Sequence, residues 1–335
     1  MRLKELGELS LIKRLGERFT ARGPRVVKAL GDDTAVTIVD DSRGLLSTTD
    51  TLIEEVHFRT SYTPPYLLGR KVVSISLSDV AAMGGVPLYL LLSVAVTPET
   101  TEEFFDELYN GIADCAKEFD VILIGGNTSA SPGRTVLTST VLGEVPIDEV
   151  VYRDGARCGD RIYVTGTIGD SALGLSVLME RGIEAVSKGP FKRAVHRHLD
   201  PTPRIRAGRA LAERGLATAM IDISDGLVQD LRHLTEQSNA GAAVEFKALP
   251  LSEEMKDHLR ENPSNRRLVL AGGEDYELLF TARPESTGAI ERLKKELGLP
   301  ITPIGEVLGP EEGIRIVDGD GSPIRLAEEG FEHFR

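Results

Sequence analysis

The chain is poor in the residues and loops that most readily announce a chemistry. Its 335 residues include only two cysteines, Cys115 and Cys158. They form neither a CxxC pair nor a four-ligand zinc set, so both are read as reduced thiols. The six histidines show no HExxH and no spaced cluster, which removes the usual zinc-hydrolase pattern. Neither familiar phosphate loop occurs: there is no GxxxxGK[ST], and no GxGxxG follows a strand-like run. No apolar run approaches the length of a membrane span. The N-terminal MRLKELGELSLIKRLGERF lacks an unbroken apolar centre and reads as an amphipathic helix, not a signal peptide, so the cytoplasm is the expected location. The net charge is -13, from 39 basic and 52 acidic residues. With no basic stripe and no interleaved aromatics, that balance argues against nucleic acid or an anionic membrane as the main partner.

What the chain does have is acid at the ends of apolar runs. Four short motifs recur: Gly31-Asp32-Asp33, Thr48-Thr49-Asp50, Leu77-Ser78-Asp79 and Asp222-Ile223-Ser224-Asp225. A carboxylate at the exit of a buried strand is held rigidly and still reaches solvent. Several converging carboxylates repel one another by about 4 kcal/mol per pair at 4 Å and an effective dielectric near 20. A fold that gathers them expects divalent cations, and an all-oxygen donor set suits Mg²⁺ better than zinc. A single Asp after a strand is more often a turn former or helix cap; it is the four together that point to cations. Ser78-Asp79 is the most telling, because it interrupts a helical apolar run.

The length exceeds what one core comfortably fills, so two domains are expected, at 1–148 and 149–335, with the junction in the polar stretch 146–159. Helical spacing marks 3–19, 66–83, 101–119, 191–198, 203–214 and 285–297, with further helices starting near Asp170 and Leu227. Strand-like runs fall at 35–39, 45–48, 88–96, 121–124, 135–145, 161–165, 217–223, 268–271 and 276–280. This alternation, without a strict βαβ count, predicts an α+β (mixed α/β) pair of domains with helices packed on mixed sheets.

Two loops invite a functional reading. Gly166-Thr-Ile-Gly169-Asp-Ser-Ala-Leu-Gly174 joins a strand to a helix, and its amides suit an anion, or else it is an ordinary capped turn. Asp318-Gly-Asp320-Gly-Ser322 lacks the remaining ligands of a calcium loop and reads as a hairpin turn. Residue chemistry alone supports an Mg²⁺-dependent phosphate enzyme. A nucleotide or metal sensor, and a synthetase that activates a carbonyl oxygen with ATP, stay open as other readings.

As an ordered set, the stretches GDDTAV, STTDTLIEEVHF, SLSDVAAMGG, LIGGNT, YVTGTIGDSALGL, IDISDGL and AGGEDYELLF resemble the thiamine-monophosphate kinases. These belong to the ATP-binding superfamily of aminoimidazole ribonucleotide synthetase. The resemblance runs from Gly7 to Phe334. It implies the two-domain architecture of that superfamily, a homodimer formed through the N-terminal domain with 88–96 as a candidate contact, and transfer of a phosphoryl group from ATP to thiamine monophosphate. It also implies ligands to several Mg²⁺ ions at Asp33, Thr48, Thr49, Asp50, Asp79, Asn127, Asp222 and Asp225, with Asp33, Asp50, Asp79 and Asp222 carrying catalysis. Nucleotide contacts are implied at Tyr109, Gly126, Arg153 and Ser224, and substrate contacts at His57, Glu274 and Phe331. Relatives with a reactive N-terminal or C-terminal cysteine are disfavoured, since the first cysteine here is Cys115 and the chain ends Phe331-Glu-His-Phe-Arg335.

The acceptor is a phosphate monoester with a second pKa near 6, hence already a dianionic nucleophile at neutral pH. Direct in-line transfer then requires neither a general base nor a phosphoenzyme. One position departs from the family pattern: Gly-Gly-Asp-Thr reads Gly125-Gly126-Asn127-Thr128 here, keeping an oxygen donor and losing its charge. Restoring the acid in Asn127→Asp is expected to lower the Mg²⁺ concentration needed for half-maximal turnover. Superimposable Mg²⁺ titrations of the two proteins would dispose of that idea.

Overall fold

In the computed structural model, residues 8–18, 23–325, 330, 331 and 333 are described, and they carry two six-stranded sheets in sequence. The first contains β1 (Val26–Lys28), β2 (Ala35–Ile38), β3 (Arg43–Ile53), β4 (Val86–Val96), β5 (Ile122–Ala130) and β6 (Val136–Pro146), in the spatial order β1-β2-β3-β6-β4-β5. All its pairs are antiparallel except β4–β5. In β6 every second residue is buried, Leu137, Ser139, Val141, Gly143 and Val145, the period of a strand with one face on a core. Helix α1 (Glu8–Arg18) precedes this sheet, and α2 (Pro65–Ala82) and α3 (Glu102–Glu118) follow β3 and β4.

The second half begins with β7 (Arg161–Thr165), α4 (Asp170–Arg181), α5 (Lys192–Leu199) and α6 (Ile205–Glu213). It continues with β8 (Ala219–Asp222), α7 (Leu227–Gln237), β9 (Gly241–Glu245), α8 (Glu253–Glu261) and the one-turn α9 (Arg267–Leu270). It closes with β10 (Leu278–Ala282), α10 (Thr287–Leu297), β11 (Ile301–Leu308) and β12 (Ile314–Val317), and the sheet order is β12-β9-β11-β7-β10-β8.

Helix α2 joins the halves. Pro64 and Pro65 open it, with proline at its first turn where the missing N–H costs nothing. From Val72 to Ser78 every residue is buried, which an isolated amphipathic helix would not show. One side packs on β3, β6 and α3, another on α6 and β8 of the second half. Glycines allow the close crossings. A Cβ on Gly111 of α3 would stand 1.9 Å from the Tyr66 carbonyl, and one on Gly208 of α6 would stand 2.0 Å from that of Ala81. The helix ends at Met83, and Gly84 turns away with φ +71°, a conformation glycine adopts without Cβ strain.

Most expected elements appear within a few residues; the differences are physical. The run 268–271 is the helical turn α9, not a strand, because four apolar residues are too few for periodicity to discriminate. The strand expected to end at Ile124 continues through Gly125-Gly126-Asn127-Thr128 to Ala130, and a Cβ added to Gly126 would stand 1.9 Å from the Leu92 carbonyl oxygen, so only glycine fits there. The strand expected at 276–280 starts two residues later, since Glu274 and Tyr276 have left-handed backbone at φ 65° and 50°. β1, β9 and α8 carried no expectation. Part of the expected 3–19 helix, including Leu3, Leu6 and Phe19, lies outside the described residues. The Asp318 loop is a turn, with Asp318 N–H donating to Ser322 O at 2.8 Å. Cys115 is buried and Cys158 exposed, both as free thiols. Among the described residues no helix is long and apolar enough to cross a membrane.

Candidate active site

Four elements deliver acid to one place where α2 meets both sheets. Asp33 comes from the turn before β2, Asp50 from β3, Asp79 from the last turn of α2 and Asp222 from the end of β8. Carboxylate oxygens of Asp33, Asp79 and Asp222 lie within 4.8 Å of one another. Hydroxyls hold them: Thr48 Oγ1 donates to Asp79, Ser76 Oγ to Asp50 at 2.9 Å, and Ser78 Oγ to Asp222 at 2.6 Å. Arg153 forks onto Asp33, with Nη2 to Oδ1 at 2.8 Å and Nε to Oδ2 at 3.1 Å.

The electrostatics follow from burial and crowding. Burial, then the neighbouring Asp33, pushes Asp222 up to about 8. Burial, then Asp50, Asp222 and Asp33, holds Asp79 well above the ordinary carboxylate range. Asp50 is raised too, chiefly by burial. Ionising all of them together requires added positive charge. The donors are all oxygens, several anionic, with the Thr48 hydroxyl beside them, so a hard divalent cation of the Mg²⁺ type fits and a thiophilic metal does not.

Asp50 connects the cluster to a cleft of about 860 Å³ lined by residues of both halves. Thr49, Asp50 and His57 line it from the first half, and Ser224, Asp225, Glu274 and Phe331 from the second. Glu274 is fixed through its backbone, its N–H donating to Ser224 O at 2.7 Å. Its Oε1 meets Lys71 Nζ at 2.8 Å and its Oε2 meets His198 Nδ1 at 3.3 Å. Burial opposes its charge, but Lys71 and His198 outweigh that and leave its pKa below the usual value. His57 Nδ1 accepts from Ile53 N–H at 3.0 Å, which puts the ring proton on Nε2, and burial lowers its pKa. The Phe331 ring stands edge-on to His333 at 4.9 Å and 6.5 Å from His57.

Of the residues expected at the site, Asp33, Thr48, Asp50, Asp79, Arg153 and Asp222 converge on the cluster. Thr49, His57, Ser224, Asp225, Glu274 and Phe331 line the cleft, although the Thr49 hydroxyl points to Thr140 Oγ1 at 3.0 Å. Tyr109, Gly126 and Asn127 do not join them within one chain. The Tyr109 ring packs against Phe105 on α3 at 4.7 Å. Gly126 and Asn127 lie on the exposed edge strand β5, three strands from β3 in the order β3-β6-β4-β5, hence about 14 Å away. The Gly166–Gly174 turn is not an open anion site. Its helix-initiating amides are taken by the chain's own Asp275, which accepts from Gly169 N–H at 2.6 Å and Ser171 N–H at 3.1 Å.

Sequence reasoning missed Lys71, Ser76 and His198, and it gave Ser78, although it marked the motif, no role of its own. A signal existed for Lys71 and Ser76: polar residues recurring in an otherwise apolar helix need a buried partner. His198 gave none. A second group, Asp225, Asp230 and His233, also has ligand atoms within 4.8 Å, and Asp230 caps α7 by accepting from Asp225 and Gly226 N–H at 3.1 and 3.0 Å.

Residues 31–145 match the family described as AIR synthase related protein, N-terminal domain, and 157–318 its C-terminal domain. The thiamine-monophosphate kinase of Salmonella typhimurium is 38% identical over 98% of both chains, and that of Aquifex aeolicus 37% over 100% of both. The chain belongs to the thiamine-monophosphate kinase family. A solved structure of AaThiL complexed with AMPPCP and TMP has a TM-score of 0.85 at 36% identity, covering 99% of each chain. The hydrogenase maturation protein HypE in complex with ATP, at 20% identity and a TM-score of 0.68, shares the fold. Membership gives the acidic cluster of this thiamine-monophosphate kinase relative a context in phosphoryl chemistry.

Asp222 gives a pH dependence with a definite sign. Its folded pKa is raised from 3.8 to about 8, so the folded chain holds a proton that the unfolded chain releases near 4. That contribution to stability is complete below the unfolded value and disappears as pH rises through about 8. In chelator, Asp222→Asn is therefore expected to melt higher than wild type at pH 8–9, and the gap should shrink toward pH 5. A gap that does not change with pH in thermal melts would contradict the assignment.

Proposed function

We propose that this chain transfers the γ-phosphoryl group of ATP to thiamine monophosphate, yielding ADP and thiamine diphosphate, the last step in making that cofactor. The observation that carries this reading is the buried carboxylate cluster that borders, through Asp50, a cleft also lined by Glu274, His57 and Phe331. The names of the relatives, and the bound AMPPCP and TMP of AaThiL, support the same reaction.

Asp33, Asp50, Asp79 and Asp222 supply the catalytic charge, joined by Thr48, Thr49 and Asp225 as further oxygen donors. Mg²⁺ ions held there would neutralise the polyphosphate and orient its transferring group. Hydroxyl donors on the carboxylates and the Arg153 fork fix the cluster before substrates arrive, which is the pre-organisation that electrostatic catalysis needs. Arg153 and Ser224 serve the nucleotide. Glu274 and His57 meet the thiamine portion, and Phe331 offers a face to its rings. His57 is kept neutral and is not needed as a base, because the acceptor phosphate is already dianionic.

The division of labour assigns 1–148 to ATP and Mg²⁺ binding and to dimer contact, and 149–335 to completing the nucleotide and substrate site. Tyr109, Gly126 and Asn127 are proposed to act on the site of a second copy. The exposed, apolar edge strand β5 of the first sheet supports this: Ile122, Leu123 and Ile124 are 60%, 42% and 51% exposed, an open edge that monomeric proteins usually guard. Ile124→Glu is accordingly expected to yield a monomer in sedimentation runs with little turnover. A fully active monomer would remove the second copy from the site.

The reaction is tested by ³¹P spectra of the protein with Mg-ATP and thiamine monophosphate, where thiamine diphosphate and ADP should appear in equal amounts. ATP left intact would instead favour a sensor or another acceptor. Asp79→Asn should fold and lose at least roughly 100-fold in turnover. Near-normal turnover in that variant would mean that the cluster is not the catalytic centre.

A further inference from the structure

Lys71 is among the most buried charged side chains of the protein, at 1% exposure, and no step of the phosphoryl transfer uses it. It projects from α2, whose residues 71, 75, 78 and 79 share a face at helical spacing. The helix therefore carries an ammonium at one point and, eight residues or about 12 Å further on, the Asp79 carboxylate. The ammonium is paired with Glu274, and the other oxygen of Glu274 meets His198, whose Nδ1 also stands 3.0 Å from Ser171 Oγ. Burial, then the Lys71 charge, lowers the His198 pKa to about 3, so its ring is neutral. Lys71 thus holds one oxygen of Glu274, and the lone pairs that remain are available to the cleft that Glu274 lines.

We infer that Lys71 is a positioning residue for the substrate: by clamping Glu274 as a fixed anion, it sets affinity for the cationic heteroaromatic end of thiamine monophosphate. This rests on the proposed kinase reading. The substrate is bipolar, with a phosphate at one end and a thiazolium and aminopyrimidine at the other. The two charged ends of the α2 face match that polarity, with acid and its cations for the phosphate and the Lys71-held carboxylate for the rings. Without Lys71, Glu274 would lose its ammonium partner, and it would take up a proton or turn away.

The test is steady-state kinetics on wild type, Lys71→Met, Glu274→Gln and the double variant, with turnover of thiamine monophosphate by wild type measured first. Lys71→Met is expected to raise KM for thiamine monophosphate by roughly 30-fold or more, leaving KM for ATP within about twofold and kcat within a few-fold. The double variant should be no worse than Glu274→Gln alone, because Lys71 acts through that residue. It leaves no unpaired buried charge, so it keeps the comparison available if Lys71→Met folds poorly. An unchanged KM for thiamine monophosphate in Lys71→Met overturns the inference, as does a loss shared equally with ATP. So do effects that add in the double variant, since a lysine that only stabilises the fold would give them. Absence of wild-type turnover overturns the kinase reading and takes this inference with it.

Discussion

Asp33, Asp79 and Asp222 bring carboxylate oxygens within 4.8 Å of one another, and every nearby feature answers that repulsion. At that separation each ionised pair costs about 3–4 kcal/mol for an effective dielectric near 20, and burial adds to it. Three devices keep the cluster in place. Hydroxyls from Thr48, Ser76 and Ser78 each give one hydrogen bond to an acid. Arg153 neutralises Asp33 with two. The rest is left to protons when no cation is bound, hence the raised pKa values of Asp79 and Asp222. A protein of ordinary marginal stability does not retain such an arrangement for its fold. Its use lies in the positive charge that it attracts.

Helix α2 makes that arrangement sensitive to how the halves sit together. Ser78 binds Asp222 of the second sheet, while its neighbour Asp79 receives Thr48 of the first. Two consecutive residues of one helix thus reach into different halves. The crossings at Gly111 and Gly208, where backbone meets backbone with no room for a methyl group, remove the slack that would let the acids drift apart. Close packing of this kind deforms little, so the cluster inherits its spacing from the core.

The acidic half of the site was legible because its signals are local. An Asp at the end of an apolar run is visible within a few residues, as at Asp50 and Asp222, and Asp79 stood out inside an apolar helix. The clamp on Glu274 was not, because Lys71, His198 and Glu274 lie far apart along the chain and meet only through packing. The glycine-rich turn misled for a related reason: its free amides are real, but Asp275, over a hundred residues further on, occupies them. In the fold, long periodic elements such as α2 and α3 were clear. The four-residue α9 was not, since a short apolar run fits a strand and a helical turn equally well.

The two ionic centres on α2 solve opposite problems with the same helix. At Asp79 the surroundings raise the pKa, so full negative charge there needs added positive charge. At Glu274 the Lys71 ammonium is built in, so the carboxylate is charged before any ligand enters. The charge of one centre is therefore conditional and that of the other is permanent. Phosphoryl transfer between two phosphates needs no side chain to exchange a proton with the acceptor at neutral pH, and the cleft histidines, His57 and His198, are both held below their ordinary pKa, chiefly by burial. What the chain must supply is distance and charge, and α2 sets both.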